Sequence, residues 1–281
     1  MSGIRHAAGG GAEGGGSVQN HRNRRVVGLF LVWRLNVVQV TGRDEAMLEW
    51  LTVVRLADMD AVRWALGAYL GAGGPVGVRQ AQFWVARMCS VGLLDRARPT
   101  FCDGSIVWAT HQAIGKTAPN LYRQTTRHEV AVATVSARYL AQGFTWRRDR
   151  KPAGLLDHQA DGVAARDGVV ELVEVELTPK TWQRYKLICE NHAYRLANAG
   201  IAQVTYFCTA DAARIVTREA DRFIFRTDRP RLIASAPFDV RGRWVGAELN
   251  PRSRPTVPGL GSVPMELDGP GGWGSLATVL E

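Results

Sequence analysis

Residues 160–180 read ADGVAARDGVVELVEVELTPK. Two β segments fit this stretch, 161–166 and 169–177, joined by a turn at Arg166, Asp167 and Gly168. Side chains alternate along a strand, so Glu174 and Glu176 share one face while Val173, Val175 and Leu177 share the other. Two carboxylates on one face, with Asp161 opening the neighbouring segment, repel one another unless a positive charge sits among them. A divalent cation held by oxygen ligands is the usual remedy. The plainer alternative is a half-buried strand whose polar face is solvated.

On either side of this stretch the helix and strand periods alternate. Residues 126–141 place Val130, Ala133, Val135 and Leu140 at helical spacing, and 144–148 form a short strand ending in basic residues. After the β segments, Pro179 suits the first turn of a helix, which runs to about residue 199 and stops at Gly200. Residues 201–208 (IAQVTYFC) make a buried strand. The expected order over 125–237 is helix, three strands, helix, strand.

A separate block spans 41–116. Thr41 followed by Asp44 and Glu45 is a helix start, with Met47, Leu48, Leu51 and Val54 on one stripe. Asp58 caps a second helix, which the glycines of 71–77 break. A third helix over 78–91 turns Ala81, Trp84, Val85 and Met88 inward and ends at Gly92. LLDRARP and SIVWAT then form a hairpin around the Asp103-Gly104 turn signal. The fold class expected is α+β, with tails at 1–40 and 238–281 too rich in Gly, Pro and polar residues to build a core.

Charge separates the two halves. The chain of 281 residues has a formal net charge of +9, and residues 1–153 carry 20 Lys or Arg against 10 Asp or Glu. A basic half of this kind suits a polyanion. The four cysteines, Cys89, Cys102, Cys189 and Cys208, form no CxxC pair and read as reduced apolar residues of a cytoplasmic protein. The histidines (His6, His21, His111, His128, His158, His192) show no metal-ligand spacing, and His128 is expected to cap or pack. The apolar run at 26–33 ends at Arg34, short of the roughly 20 residues a spanning helix needs. Neither export nor a membrane is expected.

Three helices and a hairpin, with the phrase VRQAQFWVARMCSVGLLDRARP, resemble a winged helix-turn-helix. The resemblance implies duplex DNA as partner. Arg79, Gln80, Gln82 and Arg87 would lie on the groove-facing helix, and Arg96 and Arg98 would meet phosphates at the wing. The second block resembles the PD-(D/E)xK nuclease core. That likeness implies Mg²⁺ held by Asp161, Glu174 and Glu176, with Lys180 standing in for the motif lysine that Glu176 replaces. Glu129 falls where some members of that superfamily place a further acid. Together, the blocks over about 41–237 resemble the replication-relaxation family of actinobacterial plasmids and integrative elements. The resemblance implies a DNA-binding accessory protein of replication or mobilisation, with replication or relaxase proteins as further partners and a homodimer as one arrangement. A Mg²⁺-dependent endonuclease and a ligand-responsive transcription regulator are the alternatives.

Overall fold

The computed structural model describes residues 39–247, apart from Phe101, Leu155 and Leu156. The expectations for the leader, most of the C-terminal tail and the apolar run at 26–33 lie outside the described residues. What is described is a mixed α+β structure of seven α-helices and two sheets.

The first part runs α1 (Gly42–Val54), β1 (Ala57–Asp58), α2 (Met59–Tyr69), α3 (Val78–Ser90), β2 (Leu94–Ala97) and β3 (Ile106–Ala109). Local chemistry sets its helix starts. Thr41 and Asp44 form a reciprocal capping box on α1, and the Asp58 carboxylate accepts the N–H of Ala61 at 2.8 Å on α2. The three strands pair antiparallel in the order β1-β3-β2. β1 had no signature in the sequence, because a two-residue strand shows no alternation. Asp103-Gly104 lies in the longer connection between Ala97 and Ile106, not in a tight two-residue turn.

A short helix, α4 (His111–Ile114), leads to α5 (Thr126–Ala141), β4 (Thr145–Arg147), β5 (Gly162–Arg166) and β6 (Val169–Glu176). Next come α6 (Trp182–Asn198), β7 (Gln203–Thr209), α7 (Ala210–Phe223), a 3₁₀ turn at Arg229–Arg231 and β8 (Leu232–Phe238). Beyond the expected strand over 201–208, the structure adds α7 and β8. The signal for α7 is present: Ala212, Val216 and Ala220 recur every fourth residue and are all buried. The five-stranded sheet has the order β4-β5-β6-β7-β8, antiparallel from β4 to β6 and parallel from β6 to β8. Parallel neighbours need a crossover, and α6 and α7 supply the two.

β6 sits at the centre with both faces covered. Val173 and Val175 pack with Ala131, Val135 and Tyr139 of α5, while Leu172 faces the α6 and α7 side. A strand covered on both sides reads as a near-continuous apolar run, and here three acids interrupt it. Beside it, Gly162 admits the Trp146 ring so closely that a Cβ would lie 2.1 Å from a ring carbon.

α5 serves both parts. Its Ala133 and Ala137 belong to the core formed by α1, α2 and α3, and Trp50 Nε1 donates to Ser136 Oγ at 2.9 Å. Arg138, buried, reaches Asp60 of α2 at 2.9 Å and lies over the Trp64 and Trp244 rings. The described residues accordingly fall within one compact unit.

Candidate functional site

The end of β6 carries the densest polar chemistry of the described residues. Glu174 and Glu176 point to the α6 side, opposite Val173 and Val175, and both are buried rather than solvated. Glu174 Oε1 lies 2.7 Å from His158 Nε2 and 3.1 Å from His192 Nε2. His192 Nε2 is also 3.1 Å from the Tyr206 hydroxyl on β7. His192 is fully buried, Glu174 is 5% exposed and His158 is 9% exposed. Burial alone would raise the Glu174 pKa, but the two imidazoles outweigh it and hold the carboxyl below its ordinary range. Burial lowers the His192 pKa in spite of its carboxylate neighbour.

His158 comes from the irregular segment before β5, and that segment is tied down on both sides. Arg195 of α6 forks onto Asp149 with bonds of 2.6 and 2.9 Å, and Asp149 Oδ2 also accepts the N–H of Ala160. Asp157 Oδ1 accepts from the N–H of His158 and from Asn191 Nδ2, each at 2.9 Å. Asp149 and Arg195 are themselves buried, so the pair is screened little by solvent.

Asp161 takes no part in this cluster. Its Oδ2 accepts the N–H of Val175 at 2.8 Å and stands 3.1 Å from His128 Nε2. Glu176 is paired with Lys180. Burial still raises the Glu176 pKa, with Lys180 opposing the rise. Glu129 takes a hydrogen bond from Thr125 Oγ1 at 3.3 Å.

The expected ligand set of Asp161, Glu174 and Glu176 is therefore not assembled. Among the described residues, the group of three or more ligand atoms lying within 4.8 Å of one another is His158, Glu174 and His192. Mg²⁺ prefers an octahedron of oxygens, whereas Glu174 Oε1 meets two imidazole nitrogens, Asp161 Oδ2 an amide and a third imidazole, and Glu176 Oε2 an ammonium group. This arrangement does not fit it. His158 and His192 do share a ligand-like cluster, and His128 faces a carboxylate. The histidines lie on separate elements with no motif spacing. A weak signal existed: His192 falls on the buried stripe of α6 with Tyr185, Ile188, Cys189 and Leu196.

A second surface lies at α3. Its inner face is Ala81, Trp84, Val85 and Met88. Arg79, Gln80, Gln82 and Phe83 are exposed, the last at 76%. Arg79, Gln82, Phe83 and Ala86 line one open depression with Arg96 of β2. No acidic residue occurs in α3. Arg98 is exposed and donates to the Asp103 carbonyl. Arg87 is engaged within the fold: its guanidinium binds the fully buried Asp44 carboxylate, which also accepts from Trp84 Nε1 at 2.8 Å. That pairing supports the fold.

No helix among the described residues is long and apolar enough to cross a membrane. No protein-family model, curated protein or solved structure matches this chain.

Proposed function

We propose that this chain is a DNA-binding accessory protein of plasmid or mobile-element replication and mobilisation, docking α3 on duplex DNA. The α3 face carries the reading: an acid-free helix presents Arg79, Gln80 and Gln82 to solvent beside Arg96 of the following hairpin. A helix of this kind fits the major groove, and the hairpin reaches flanking phosphates. The element order α1-β1-α2-α3-β2-β3, with its sheet order β1-β3-β2, supports a winged helix-turn-helix. On this reading the second sheet, with its nuclease-like element order, holds backbone or a partner replication or relaxase protein.

The test is binding of the full chain to a fluorescent random-sequence duplex and to a duplex enriched from a random pool, each across a salt series. Arg96→Ala is expected to weaken both duplexes alike and to flatten the log–log salt slope by about 1. Arg79→Ala is expected to cost roughly 1–3 kcal/mol on the enriched duplex and to erode its preference over the random one. Binding unchanged by either substitution removes α3 as the DNA-facing surface. In parallel, supercoiled DNA with Mg²⁺ is expected to remain unnicked. Nicking abolished by Asp161→Ala would instead restore the endonuclease reading.

A further inference from the structure

We infer that His158, Glu174 and His192 form a transition-metal site, best suited to Zn²⁺, that pins the segment preceding β5 to α6 and the centre of the sheet. The argument starts from how the three side chains meet. Both imidazole Nε2 atoms converge on the same carboxylate oxygen, Glu174 Oε1, at 2.7 and 3.1 Å. An ion pair alone needs one imidazolium per carboxylate. A second buried imidazole on the same oxygen adds a donor atom without adding needed charge. Around a four-coordinate ion with bonds of about 2.0–2.1 Å, neighbouring ligand atoms lie about 3.3 Å apart. The two imidazole–carboxylate distances would open by about 0.6 and 0.2 Å to reach that spacing, and all three ligand atoms already lie within 4.8 Å of one another.

The donor set selects the metal. Two imidazoles and one carboxylate suit Zn²⁺ and its first-row neighbours, whereas Mg²⁺ and Ca²⁺ take oxygens. The Tyr206 hydroxyl, 3.1 Å from His192 Nε2, is a fourth polar atom beside the cluster. The supports are built in, since the Asp149–Arg195 fork and the Asp157–Asn191 bond hold the His158 backbone against α6. One support is missing. His192 Nδ1 is buried with no hydrogen-bond partner. A ligating histidine ordinarily donates from that nitrogen, and the loss of such a partner lowers affinity by roughly 10- to 100-fold. The expected site is therefore of moderate affinity. Its role is to bind three separated elements, β6, α6 and the 149–160 segment, through one centre.

The experiment uses the full chain carrying His6→Ala and His21→Ala, so that the N-terminal histidines cannot imitate the site. After chelation and dialysis it is titrated with Co²⁺ alone, then with Zn²⁺. One Co²⁺ per chain is expected, with the visible bands of a low-coordinate ion that Zn²⁺ displaces. At 100 times its dissociation constant, Zn²⁺ is expected to raise Tm by roughly 5–10 °C. Glu174→Gln and His158→Ala are expected to abolish the bands, and His128→Ala to leave them unchanged. Should either variant fail to fold, X-ray absorption on the Zn²⁺-loaded parent decides: two imidazoles and no sulfur are expected. Absence of uptake by the folded parent, uptake unaffected by Glu174→Gln, or sulfur in the coordination shell overturns the assignment.

Discussion

Asp161 Oδ2 holds two groups at once, the N–H of Val175 at 2.8 Å and His128 Nε2 at 3.1 Å. A residue whose sequence position suggests a metal ligand is thereby engaged in joining α5 to the end of β6. His128 also stands 3.1 Å from the Val175 carbonyl.

That contact has a pH signature. Burial lowers the His128 pKa, but the Asp161 carboxylate outweighs it, with help from the Val175 carbonyl, and the net shift is upward from 6.5. A pKa raised in the folded state contributes stability fully below the ordinary value, and the contribution fades as pH rises through the folded value. His128→Gln is expected to be less stable than the parent at acid pH and to converge with it at alkaline pH. The His128 side chain is 37% exposed, so solvent screening keeps the difference to roughly 1 kcal/mol or less. Thermal melts of the two proteins across the histidine range measure it, and a constant gap would refute the pairing.

Asp44 should behave in the opposite sense. Burial pushes its carboxyl up, yet bonds from Thr41, Trp84 and Arg87 bring it down to about 2 from an ordinary 3.8. Its contribution is complete above 3.8 and is lost as pH falls towards 2. Asp44→Ala strands the Arg87 guanidinium and the Trp84 N–H, and is expected to cost roughly 3–5 kcal/mol in urea unfolding. Arg87→Ala is expected to destabilise the chain without flattening the salt dependence of DNA binding. A flattened slope would return Arg87 to the DNA-facing surface.

Gly67 offers a test of packing between α2 and the loop that follows. Replacing glycine by alanine inside a helix ordinarily stabilises by roughly 0.5–1 kcal/mol. At Gly67 the new Cβ would lie 1.8 Å from the Gly74 carbonyl oxygen, a backbone atom that cannot swing aside. Gly67→Ala is expected to destabilise by roughly 2 kcal/mol or more. Gly42→Ala, at the start of α1 with nothing within 4 Å, is expected to be neutral or slightly stabilising. Chemical denaturation of both variants checks the pair. Equal effects would mean that the 71–77 loop does not press on α2 as described.

Much of the local structure was legible in the sequence. Thr41 and Asp44 marked α1, Asp58 marked α2, Gly92 followed α3, and the alternation around Glu174 separated the two faces of β6. α7 is equally readable from the four-residue recurrence of Ala212, Val216 and Ala220. β1 left no trace, because it exists only through pairing with β3.

Sequence by itself determined where α1, α2 and α3 begin or end, which faces of the main helices and strands are apolar, and that the N-terminal half is the basic one. These properties depend on neighbours a few residues away, through hydrogen bonds at helix ends and the periods of 3.6 and 2. Only the tertiary structure decided which distant groups meet. It set Arg87 on Asp44, engaged Asp161 with the Val175 amide and His128, and brought His158 and His192 to one carboxylate oxygen. Those encounters follow from how α6 and the 149–160 segment pack across the sheet, and no short-range rule specifies them.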